Sequence, residues 1–76
     1  KGGASGSQIR APMPGLVKLV RVAQREKVQE GQPLLVLEAM KMEHAIIAPR
    51  DGVIAHVVAE GVQVSDGTVL IQFEDG

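Results

Sequence analysis

Seventy-six residues suffice for one small domain and leave no room for a second. Eight Lys and Arg against nine Asp and Glu give a formal charge of −1, and the only aromatic residue is Phe73. A near-neutral chain without Trp or Tyr lacks both the basic face and the stacking rings of a nucleic-acid binder.

No apolar run approaches the roughly 18 residues of a membrane helix, so the domain is expected to be soluble. With no cysteine there is no disulfide, thiolate metal site or Cys nucleophile, and stability has to come from packing. Val and Ile supply 16 residues for an aliphatic core. A domain this small buries only about 60% of its unfolded surface, which leaves little stability to set against a strained or deeply polar active site. A binding or carrier module of a longer chain is therefore expected, rather than a self-sufficient enzyme.

In chain order, residues 1–7 (KGGASGS) are small and polar and read as a flexible linker or tag, with the folded domain at 8–76. Gly and Pro then punctuate the chain at Pro12, Pro14-Gly15, Gly31, Pro33, Pro49, Asp51-Gly52, Gly61 and Asp66-Gly67. The apolar runs between them are the length of short strands, which places strands at 9–11, 16–22, 27–28, 34–39, 42–48, 53–58, 63–64 and 69–74.

The chain repeats itself. Ala11-Pro12, Gly15, Leu16 and Val17 recur 37 residues later as Ala48-Pro49, Gly52, Val53 and Ile54. At a displacement of 36, Val28, Gly31, Leu34 and Glu38 match Val64, Gly67, Leu70 and Glu74. Val17, Val20, Gln24 and Val28 have a helix-like spacing, but their counterparts include Val57, Val58, Gly61 and Val62, β-branched and broken by glycine, so both halves read as strands. Ile71 and Phe73 alternate with Gln72 and Glu74, as Leu35 and Leu37 alternate with the terminal Glu38. The expected fold is all-β: a flattened barrel or sandwich of two four-stranded antiparallel sheets with quasi-twofold symmetry, each half forming one sheet.

Between the halves lies Glu38-Ala39-Met40-Lys41-Met42-Glu43, with no Gly, Pro, Asn or Asp to mark the reversal that two flanking strands require. A two-residue hairpin loop at Met40-Lys41 would need positive φ at both residues, at about 1 kcal/mol or more each. Met and Lys where Asn-Gly would be easier point to a requirement for the side chains. The ordinary reading of Lys41 is a solvated turn lysine; its place near the midpoint of the repeats, between two methionines, points to a presented amine. Met40 and Met42 are expected to form an exposed recognition collar rather than to fill the core, a task for which Ala39 and Ile46 are better placed.

These residues carry a resemblance. Glu38-Ala39-Met40-Lys41-Met42-Glu43, with Ala11-Pro12-Met13-Pro14-Gly15 before it and Ala48-Pro49-x-Asp51-Gly52 after it, resembles the biotinyl (biotin carboxyl carrier) domain of biotin-dependent carboxylases over about residues 8–74. The resemblance implies biotin as a covalent cofactor on Lys41, with Met40 and Met42 flanking it for recognition and Glu38, Ala39 and Glu43 contributing to partner recognition. Implied partners are a biotin protein ligase, which transfers biotin from an acyl-adenylate, and the biotin carboxylase and carboxyltransferase between which the carrier moves. The domain itself would catalyse nothing. Lysine amines, with an ordinary pKa of about 10.4, are almost wholly protonated at neutral pH, so acylation needs an activated acyl group and a partner that takes the proton.

Lipoyl domains of 2-oxo-acid dehydrogenases are similar in fold but usually carry Asp-Lys-Ala at this place, so Met on both sides of Lys41 favours biotin. The turn between residues 22 and 28 is as short as that between 58 and 64, so the inserted thumb of the bacterial acetyl-CoA carboxylase carrier is not expected. The thumb-less carriers of acyl-CoA, methylcrotonyl-CoA, pyruvate or oxaloacetate enzymes are more similar, His44 pointing towards methylcrotonyl-CoA and the position of Lys41 towards a C-terminal carrier domain. A bacterial cytoplasm or mitochondrial matrix is the implied location, not secretion, and the isolated domain is expected to be monomeric.

Two other chemistries are weighed against this. A metal site would need His44, His56 and carboxylates, but Glu43 and His44 are adjacent on a strand and point to opposite faces, and no third ligand follows at useful spacing. His44 reads as a solvated strand residue and His56, the counterpart of Leu19, as an exposed or edge residue. A Schiff-base lysine needs burial or a cationic neighbour, neither of which a hairpin tip supplies.

Overall fold

The computed structural model describes residues 8–74. The expected linker at residues 1–7 lies outside the described residues, as do residues 75 and 76. Each apolar run between turn residues forms a strand: β1 (Gln8–Arg10), β2 (Gly15–Val20), β3 (Lys27–Val28), β4 (Pro33–Ala39), β5 (Met42–Ile47), β6 (Gly52–Val57), β7 (Gln63–Val64) and β8 (Val69–Phe73). The helix-like spacing after Val17 comes to nothing, and no helix occurs among the described residues. The β2–β3 and β6–β7 links are both short turns, without an inserted thumb.

All pairings are antiparallel, in two four-stranded sheets ordered β1-β8-β6-β3 and β5-β4-β2-β7. This corrects one expectation. The halves do not form one sheet each; each sheet takes two strands from either half, and exchanging β1 with β5, β2 with β6, β3 with β7 and β4 with β8 turns one sheet order into the other. The interleaving has a physical advantage: neither half can bury its apolar face alone, and strands contributed across the twofold stitch the two copies around one core.

The repeat extends to the irregularities. The ladder shifts between Val17 and Leu19 in β2, and between their counterparts Ile54 and His56 in β6. Shifts in the β4–β5 and β1–β8 ladders pass over Leu34 and its counterpart Leu70. Such bulges break strict alternation, which is why Leu34 and Leu35, like Leu70 and Ile71, are buried side by side.

The core joins these residues to Val17, Leu37, Ile54 and Phe73, all essentially inaccessible. Burial of each large side chain contributes about 1.5–3 kcal/mol. The Arg50 guanidinium stands 4.6 Å from the centroid of the Phe73 ring and covers the one aromatic of the core.

The turns obey the twofold too. Gly31 and Gly67 each have φ of 86°. Arg25, at φ 74°, occupies the place of Gly61 at φ 90°. The amide of Arg25 donates to Ile54 O at 2.6 Å, as that of Gly61 donates to Val17 O at 2.7 Å.

Candidate functional site

Among the described residues the β4–β5 hairpin is the longest ladder, with Cα partners from Pro33 opposite Ile47 to Ala39 opposite Met42. That last pair leaves only Met40 and Lys41 to reverse the chain, and their φ values are 54° and 67°. Positive φ at both central residues is the type I′ geometry, whose twist matches that of the flanking strands. Two non-glycine residues in this region cost about 1 kcal/mol or more each. The rest of the hairpin holds them there.

Gly15 explains how the base of the tip packs. A Cβ at this residue would lie 2.6 Å from the Glu38 carbonyl oxygen and 3.2 Å from the Ala39 Cβ, so only glycine lets the start of β2 approach the end of β4 so closely. Ala39 is buried at 5% exposure on the inner face of the hairpin. The Ala39 side chain therefore supports the base of the tip from within. Ile46 packs against the core from β5, as expected.

Beyond Ala39 the polypeptide emerges into solvent. Met40 is 88% and Met42 61% exposed. Lys41 is exposed between them, and among the described residues no hydrogen bond or ion pair engages its ammonium. The methionines are not core fillers, and the primary amine belongs to an exposed residue of a tight two-residue turn.

Glu38 and Glu43 face each other across β4 and β5. Directly opposed like charges destabilise a ladder. Lys18 relieves the conflict: it sits at the β2 bulge, and its ammonium reaches across β4 to pair with Glu43. The bond to Glu43, the charge of that carboxylate and then the charge of Glu38 hold the Lys18 ammonium above the ordinary lysine value. These three side chains leave one net negative charge beside the tip. Lys18 escapes sequence reasoning because its partner is 25 residues away and only the strand order brings the two together.

His44 is half-buried, opposite Leu37, rather than fully solvated, whereas His56 is exposed. The geometry offers an exposed amine acceptor that, among the described residues, is bonded to no base or nucleophile partner. It suits covalent attachment of a group by another protein, and the donor chemistry fits a carboxylic acid joined as an amide.

The profile of the family described as "Biotin-requiring enzyme" (Biotin_lipoyl) matches residues 7–73. The chain is 53% identical over 66 residues to the methylcrotonoyl-CoA carboxylase subunit alpha of Glycine max, covering 86% of this chain and 9% of the relative. It is 52% identical over 66 residues to the biotin carboxyl carrier protein of acetyl-CoA carboxylase of Solanum lycopersicum, covering 86% of this chain and 94% of that one. Among solved structures, the lipoyl domain of the 2-oxoglutarate dehydrogenase complex of Azotobacter vinelandii superposes with a TM-score of 0.79 at 29% identity, covering 91% of this chain and 96% of the other. The chain thus spans less than a tenth of the Glycine max relative but nearly the whole of the Solanum carrier protein. Sequence match and twofold architecture agree: the chain belongs to the biotin-requiring family, as a biotin carboxyl carrier domain rather than a catalytic one.

Proposed function

We propose that Lys41 is the residue that receives biotin, and that the domain carries carboxyl groups between the biotin carboxylase and carboxyltransferase sites of a larger enzyme. The observation that carries this reading is the type I′ turn itself: a strained, exposed Met40-Lys41 pair with an unengaged amine at its tip. In the attachment step a biotin protein ligase supplies an activated acyl group; the Lys41 nitrogen bonds its carbonyl carbon, the activating group leaves, and the amine proton passes to the ligase. Bound biotin supplies a ureido ring that can hold a carboxyl group.

The chain's own residues do the rest. The β4–β5 ladder fixes where the amine stands, Met40 and Met42 offer an apolar collar, and Glu38 and Glu43 set the charge that a partner meets. Attachment to a longer chain would bring the tip to two active sites at high effective concentration. A methylcrotonyl-CoA or related acyl-CoA enzyme is the proposed parent, in keeping with the Glycine max relative. The mitochondrial matrix or a bacterial cytoplasm is the proposed location.

The lipoyl reading retains one supporting observation, the 0.79 TM-score of the Azotobacter domain. Intact-mass analysis after incubation with biotin, ATP and a biotin protein ligase separates the two, with lipoate and a lipoate ligase in a parallel arm. One biotinyl group on the native domain and none on Lys41→Ala is expected, with the variant folded as before. Lipoylation without biotinylation would reverse the assignment.

A further inference from the structure

The internal twofold pairs described positions on one sheet with counterparts on the other. A residue that the fold requires should then recur in kind. Inward, it does: Val17 matches Ile54, Leu35 matches Ile71, and Leu37 matches Phe73, all buried. Outward, the row that crosses the middle strands does not.

On the β1-β8-β6-β3 sheet, Gln72 lies between Gln8 and His56. Gln8 Nε2 donates to Gln72 Oε1 at 3.1 Å, and Arg10 donates to Gln8 Oε1 at 2.8 Å. The counterpart row on the β5-β4-β2-β7 sheet is Val36 between Ala45 and Leu19, with Ile47 in the place of Arg10. Leu19 is 38% and Ile47 53% exposed, and Ala45 is exposed as well. The same backbone positions face solvent on both sheets, so the polar row shows what the fold accepts there. The apolar row answers to something outside the domain.

We infer that the outward row Leu19, Val36, Ala45 and Ile47 is the docking face for the enzyme that acylates Lys41. The inference rests on the assignment of Lys41 as the acceptor. Three observations select this occupant.

The row is continuous with the tip, because β5 runs from Met42 to Ile47; at about 3.3 Å per residue Ala45 lies roughly 13 Å from Lys41, within the footprint of a globular protein gripping the turn. Glu38, Glu43 and Lys18 lie between row and tip with one net negative charge, so the fitting surface has an apolar ridge bordered by a basic side chain. A second copy of the chain would instead present the same carboxylates. Four partly exposed side chains also offer at most a few hundred Å², against roughly 800 Å² per partner in a stable complex. Such an area suits a transient encounter. A carboxylase site joined to the carrier needs no added affinity, whereas a free modifying enzyme finds the domain by diffusion and gains from each extra contact.

The test is the concentration dependence of biotin incorporation by a purified biotin protein ligase into the native domain, the quadruple variant Leu19→Gln/Val36→Gln/Ala45→Gln/Ile47→Gln, and the milder Leu19→Gln/Ile47→Gln, which spares the half-buried Val36. Circular dichroism checks that each is folded. The expected result is a KM raised about tenfold in the quadruple variant and several-fold in the double, with kcat unchanged and with no effect of His56→Ala on the opposite sheet. An unchanged KM in folded variants, with the native domain still labelled, overturns the docking face and leaves Lys41 as acceptor. Self-association of the native domain that the double variant abolishes assigns the face to a second copy and overturns it too. Absence of label on the native domain removes the acceptor assignment and this inference together.

Discussion

Replacing the tip Met40-Lys41 by Asn-Gly should make the domain more stable while removing its acceptor amine. Both residues lie at positive φ, 54° and 67°, at about 1 kcal/mol each, or ~2 kcal/mol for the turn. Asn tolerates this region and Gly occupies it freely, but Gly adds roughly 0.5–1 kcal/mol of chain entropy to the unfolded state. Little packing is lost, since Met40 is 88% exposed and Lys41 is unengaged. The net expectation for Met40→Asn/Lys41→Gly is a gain of about 1 kcal/mol, or roughly 4–8 °C in Tm for a domain of this size. With neither Trp nor Tyr in the chain, the measurement calls for far-ultraviolet circular dichroism with urea and heat, or calorimetry, rather than intrinsic fluorescence. A loss of stability greater than about 0.5 kcal/mol would refute the reasoning, because it would mean that the native side chains hold the turn together rather than being held in it.

Gly15→Ala should cost about 2–3 kcal/mol, because the added carbon meets the Glu38 backbone oxygen at 2.6 Å; Gly61→Ala, with open space around it and φ of 90°, should cost only about 1 kcal/mol, and urea melts reporting the reverse order would contradict the packing described. Lys18 has its folded-state value raised by Glu43 and Glu38, so the ion pair contributes fully from neutral pH up to the ordinary lysine value and loses its contribution as pH rises through the folded-state value. A Tm difference between the native domain and Lys18→Met that is present at pH 7, shrinks with salt and vanishes at strongly alkaline pH is expected; a difference that grows with pH would reverse the sign. Met40→Ala and Met42→Ala should each cost less than about 1 kcal/mol of folding free energy, and a loss above about 2 kcal/mol in denaturation curves would place that methionine in the core.

Local chemistry alone marks out most of this protein. Turn residues at regular spacing and β-branched runs between them place all eight strands to within one or two residues, because short strands bounded by Gly and Pro are decided by nearby residues. The repeat rules out a helix after Val17, and the missing turn residues at Met40-Lys41 mark a tip built for its side chains. Tertiary structure alone decides what depends on which strands become neighbours. Pairing partners far apart in sequence are selected by burial of the whole core, so the interleaving of the halves, the reach of Lys18 across β4 to Glu43 and the closeness of Gly15 to Glu38 are invisible until the sheets form. The same holds for the apolar row: Leu19, Val36 and Ala45 sit on three strands, and only the register lays them side by side facing water.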